Sequence, residues 1–101
     1  MIYKLSVPAI AEDIEEFRVL EWYGGVGTLF NSGDMIVELE THKAIIEMRA
    51  GQTGILRVIA VPDGAWCKIG VPLGLCSDTL DETLLDQAEA ASDMLLEFEV
   101  A

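Results

Sequence analysis

Basic residues are scarce in this 101-residue chain: six lysines and arginines stand against 18 acids, for a net charge of −12. That balance repels phosphate backbones and anionic lipid surfaces, so nucleic acid and acidic membranes are excluded as partners. No run of eighteen apolar residues occurs, which excludes a helical membrane span. A single histidine, His42, and two cysteines, Cys67 and Cys76, make up the soft-ligand inventory. Their spacing fits no zinc set. The start, Met1-Ile2-Tyr3-Lys4, lacks the basic-then-apolar layout of a signal peptide. Two free, buried thiols in a reducing cytoplasm are the expectation. No nucleophile–base pair, phosphate loop or Ala/Pro-rich linker is present, and an enzyme in its own right is the least supported class.

What remains is a chain with 51% apolar residues, enough for one domain with a buried core. The acidity is uneven. Residues 78–101 carry eight acids and no base, whereas the first 77 carry ten acids against six bases. This divides the chain into a main domain, 1–77, and an acidic C-terminal helix or tail, 78–101. The tail is either a solvated face or a contact for a basic partner.

The main part reads as all-β. Period-two alternation marks Ile2–Val7, Phe17–Tyr23, Met35–Thr41 and Ala44–Ala50, followed by a β-branched run at Ile55–Val61 and a short run at Leu73–Cys76. Met35, Val37 and Leu39 are predicted to face one way, and Ile46 and Met48 inward with Glu47 and Arg49 outward. Trp22 and Trp66 are expected in the core or half-buried. Glycines punctuate nearly every junction.

A shift of 37 residues brings the chain onto itself. Gly27 falls on Gly64, Gly33 on Gly70, Leu29 on Trp66, Ile36 on Leu73, Val19 on Leu56 and Trp22 on Ile59. Two such half-motifs pack as a two-fold-related flattened barrel. The junction of the repeat falls near Lys43, so the tip around Lys43 and the chain ends are expected to lie far apart. In the tail, Leu80, Leu84, Ala88, Ala91 and Leu95 recur at helical spacing, and Thr79 with Glu82 resembles a capping box. This predicts a helix over Leu80–Ala91. Leu96–Val100 alternates with period two and reads as a last strand or a frayed end.

Lys43 is the residue that the pattern singles out. It lies in Glu40-Thr41-His42-Lys43-Ala44, between two predicted strands. A tight turn between paired strands holds a lysine exposed and fixed, as an attachment point requires. The plain alternative is an exposed lysine that pairs with Glu40 or Glu38 across the turn, stabilising by about 0–1 kcal/mol. Lys4, in a strand, and Lys68, near a loop of the second half, do not share the tip geometry. Glu15, Glu16, Glu38 and Glu40 form a candidate acidic patch near it.

These residues, with Gly33-Asp34 upstream and Thr53-Gly54, Gly64 and Gly70 downstream, resemble a lipoyl domain, as found at the N-terminus of 2-oxo acid dehydrogenase acyltransferase components. The usual motif there is Glu-Thr-Asp-Lys-Ala, and the resemblance covers roughly residues 2–76. It implies a flattened β-barrel of two quasi-symmetric four-stranded sheets of the lipoyl/biotinyl type. It also implies a non-catalytic carrier with lipoic acid in amide linkage on Lys43. Glu40, Thr41, His42 and Ala44 would be its recognition residues. A lipoate-protein ligase, a 2-oxo acid decarboxylase and a dihydrolipoyl dehydrogenase would be its partners. The setting implied is the cytoplasm, or the mitochondrial matrix in a eukaryote. His42 departs from the usual aspartate, and Gly27-Thr28 stands where Gly-Asp is common. Three alternatives stay open: a biotin carrier of the same fold, a glycine-cleavage-type carrier, and an unmodified binding module. Biotin acceptors usually have methionines on either side of the lysine, and here His42 and Ala44 stand there.

Overall fold

The computed structural model describes residues 1–8, 14–84 and 92–100. Ten strands are formed there: β1 (Ile2–Leu5), β2 (Glu16–Trp22), β3 (Leu29–Phe30), β4 (Met35–Glu40), β5 (Ile45–Ala50), β6 (Gly54–Ile59), β7 (Trp66–Lys68), β8 (Gly74–Ser77), β9 (Ser92–Asp93) and β10 (Leu96–Val100). They build two sheets, with orders β3-β6-β8-β1-β9 and β10-β5-β4-β2-β7. All pairings are antiparallel except β1 with β9. The fold is an all-β flattened barrel, as the sequence predicts.

The repeat is visible in the topology. Exchanging β1–β4 for β5–β8 carries the order β3-β6-β8-β1 onto β7-β2-β4-β5. The two motif glycines of each half, Gly27 and Gly33, then Gly64 and Gly70, all hold positive φ, between 84° and 97°. That conformation costs an L side chain strain that glycine avoids. Equivalent positions also share burial. Val19 and Leu56 are fully buried, as are Ile36 and Leu73. Leu29 and Trp66 are instead both exposed, at 53% and 57%. Trp66 is therefore not a core residue: it opens the edge strand β7 on its outer face, while Cys67 beside it turns inward.

The core lies between the sheets and includes Leu5, Val7, Phe17, Val19, Leu39, Met48, Leu56 and Leu73. Ile46 and Met48 point inward as predicted. In β4 the simple alternation fails. A register shift between Met35 and Val37 turns both Ile36 and Val37 inward and leaves Met35 half-buried. A bulge adds one residue on one strand, and the facing side chains change with it.

The tail departs from the helical expectation. Residues 80 and 81 form a turn, and 82–84 carry no regular structure; the rest of the predicted Leu80–Ala91 helix lies outside the described residues. Thr79 does meet Glu82, whose carboxylate accepts from the amides of Asp78 and Thr79. The same carboxylate takes the Met1 ammonium, so it ties down the chain start rather than a first helical turn. Beyond it, β9 lies along β1 and β10 along β5, adding one strand to each sheet. Between them Met94, 4% exposed, enters the core, and Gly51 donates to the Leu95 carbonyl (2.7 Å).

This path corrects one expectation. Met1 does lie at the end of the barrel away from Lys43, beside Ser77 and the start of β6. Val100, however, pairs with Ile46, three residues from Lys43 and so about 10 Å along the strand. The tail doubles back antiparallel to β5, because an open edge strand offers its alternating residues a ladder of hydrogen bonds.

Candidate attachment site on the β4–β5 hairpin

Lys43 occupies the tip between β4 and β5, and both it and His42 are exposed. The strands on either side stay paired up to the tip: Glu38 faces Glu47, Leu39 faces Ile46 and Glu40 faces Ile45. The tip is thus carried on a rigid ladder, with Leu39 and Ile46 buried directly beneath it.

The turn is closed by Thr41. Its amide donates to the Ala44 carbonyl at 2.8 Å, and its hydroxyl donates to the same oxygen at 3.2 Å. That hydroxyl also accepts from the amides of Lys43 (3.2 Å) and Ala44 (3.1 Å). Thr41 is 6% exposed, one of two buried polar residues in the described chain. The other residues that the sequence groups around the lysine spread apart. Glu40 sits beside Arg18, 3.8 Å away across β2. His42 shares a cleft with Glu15, Glu16 and Lys68. Glu38 belongs to a different constellation.

That constellation is a row the sequence does not reveal. The strand registers align Glu21, Glu38, Glu47 and Glu99 across four neighbouring strands of one sheet. Like charges directly opposite each other repel. Arg49 offsets part of this, at 3.1 Å from Glu47 and 4.0 Å from Glu99. Tyr23 lies next to the row, and its hydroxyl is pushed above its ordinary range by desolvation and then by Glu38, Glu21 and Glu47.

Chemically, the hairpin offers an exposed primary amine on an ordered turn. That fits a group held in amide linkage and requires no pocket in the barrel itself. Among the described residues no group of three or more His, Cys, Asp or Glu could hold a metal ion. No helix among them is long and apolar enough to cross a membrane. The cysteines are free and buried, and burial pushes the Cys76 thiol up to about 12. Both are packing residues in this geometry.

Comparison with known proteins places this hairpin within a larger match. Residues 3–75 fit the biotin/lipoyl family model, described as biotin-requiring enzyme. The chain is 27% identical over 81 residues to a dihydrolipoyllysine-residue succinyltransferase component of the 2-oxoglutarate dehydrogenase complex from Rickettsia typhi, covering 80% of this chain and 20% of that protein. It is 29% identical over 80 residues to the component of the same name from Bacillus subtilis, covering 79% and 19%. It is 33% identical over 97 residues to a pyruvate dehydrogenase E1 component subunit beta from Rhizobium meliloti, covering 93% and 19%. The chain spans about a fifth of the length of these curated relatives.

Proposed function

The chain belongs to the biotin/lipoyl attachment family, and from that premise we propose that it is a carrier whose Lys43 bears lipoic acid in amide linkage. The observation that carries this reading is the position of Lys43: exposed, at the tip of the β4–β5 hairpin, inside the matched span. Residues 1–77 form the carrier unit in this reading, and 78–101 are an acidic addition to it.

The chain's own residues have limited work to do. The hairpin holds the lysine away from the barrel, and amide formation removes its charge. Glu40, His42 and Ala44 are the neighbours that a ligase meets first. When bound, the dithiolane of lipoic acid supplies the acyl-carrying and redox chemistry, and the protein supplies presentation. Tethering turns a diffusive search between active sites into a local one at high effective concentration. The partners are then a lipoate-protein ligase, a 2-oxo acid decarboxylase and a dihydrolipoyl dehydrogenase. The names of the relatives, components of 2-oxoglutarate and pyruvate dehydrogenase complexes, support that setting.

The test is the intact mass of the chain purified from cells that contain both lipoate and biotin ligases. A lipoyl increment that disappears in Lys43→Ala supports the reading. A biotinyl increment would replace it with the biotin carrier, and no increment would leave an unmodified binding module.

A further inference from the structure

A two-residue hairpin loop ordinarily needs left-handed backbone at its central positions, which is why Asn-Gly and Gly-rich pairs dominate such turns. This loop is His42-Lys43, with no glycine or asparagine at either position. The chain closes it with a side chain. The amide of Thr41 still bonds the Ala44 carbonyl, but the return bond from the Ala44 amide goes to the Thr41 hydroxyl, at 3.1 Å. The same oxygen takes the amide of Lys43 itself, at 3.2 Å. A threonine hydroxyl has one proton and two lone pairs. Here the proton goes to the Ala44 carbonyl and the two lone pairs to two amides, so its capacity is fully used.

Thr41 is also nearly sealed from solvent, at 6% exposed, so a ligase can touch little of it. We propose that Thr41 is a positioning residue for Lys43 rather than a surface that partners read: its hydroxyl fixes the backbone of the acceptor lysine and so sets the direction in which the amine is offered. This rests on the reading of Lys43 as the acceptor. Misplacement of a reacting group by about 1 Å costs on the order of a hundredfold in rate. Loss of the hydroxyl therefore acts on the chemical step, after the barrel has bound.

Initial rates of lipoylation by lipoate-protein ligase, measured against carrier concentration, test this with Thr41→Val, which keeps the shape, and Thr41→Ser, which keeps the hydroxyl. Thr41→Val is expected to lower kcat by about tenfold or more with KM within about twofold, and to speed amide exchange at Lys43 and Ala44. Thr41→Ser is expected to stay within about twofold of the parent chain in both constants. Thermal melts of all three establish that the barrel is intact. Wild-type kinetics for Thr41→Val would overturn the proposal. So would a loss confined to KM, which marks a contact with the ligase, or an equal loss in Thr41→Ser, which marks packing of the methyl group. If the parent chain gains neither lipoyl nor biotinyl mass, the acceptor reading itself fails, and this inference falls with it.

Discussion

Gly33 and Gly70, 37 residues apart, are equivalent donors: each has a left-handed backbone, and each gives its amide to the end of the first strand of the opposite half. Gly33 bonds the carbonyl of Ala50, at the end of β5, at 2.7 Å. Gly70 bonds that of Val7, just past β1, at 3.1 Å. The repeat is thus a repeat of hydrogen bonding as well as of residue type.

Gly33→Ala and Gly70→Ala should each cost about 1–2 kcal/mol of stability in urea unfolding, from backbone strain alone. No atom lies within 4 Å of a side chain added at either site, so steric clash does not contribute. Gly25→Ala, which also has open space and no positive φ, should stay within about 0.5 kcal/mol of the parent. Equal stability of all three variants would remove the left-handed turns as a determinant of the fold.

Met94 joins the tail to the core. Its truncation to alanine should cost about 2–5 kcal/mol, whereas Met94→Leu should cost less than about 1.5 kcal/mol. Thermal unfolding measures both. A change near zero for Met94→Ala would mean that residues 92–100 add nothing to the barrel's stability.

Glu82 and the Met1 ammonium should shape stability at both ends of the pH range. The hydrogen bond from the ammonium, foremost, holds the Glu82 carboxyl below its usual 4.5. This contribution is present above pH 4.5 and is lost as pH falls through the lower folded value. The hydrogen bond to Glu82, foremost, raises the ammonium above its usual 8.0. That contribution is present below pH 8 and is lost as pH rises through the folded value. Melting curves of the parent and Glu82→Gln should differ at neutral pH and converge towards both extremes. A constant gap across the range would contradict the linkage.

Cys76 should stay unreactive while the barrel is folded. Burial pushes its thiol from 9.0 up to about 12. Between those values the unfolded chain ionises and the folded one does not, so stability falls as pH rises through that window. Iodoacetamide at pH 8 should leave Cys76 unlabelled in the native protein and label it in denaturant, as read by peptide mass. Native labelling at the denatured rate would mean that the core around Cys76 opens freely.

β5, and β4 from Val37 on, were legible in the sequence because burial alternates along them, and the motif around Lys43 stood out because it is local. The half-repeat was legible because its glycines are spaced by conformation. The places where the reading failed have physical causes. The bulge that turns Ile36 and Val37 inward together depends on pairing across strands, which periodicity along one strand does not record. β7 spans three residues, too few to show an alternation, so the outward Trp66 read as core or half-buried. In the tail the period-two reading of Leu96–Val100 holds as β10 on the open edge of β5, whereas β9 on the edge of β1 spans two residues and left no alternation to read. The role of the Thr41 hydroxyl and the row Glu21–Glu38–Glu47–Glu99 depend on atoms and registers that only the folded chain sets.

The position of β9 and β10 after both half-units has a consequence for synthesis. A ribosome releases the eight strands of the two half-units first, and at that moment β1 and β5 are bare edges. Both are covered only when residues 92–100 emerge, and their partners lie about ninety and fifty positions back, at Tyr3–Lys4 and Ile46–Ala50. Contacts so distant along the chain form late. The nascent barrel therefore passes through an interval in which the strand that follows Lys43 can pair with another chain, and residues 92–100 are the ones that end that interval.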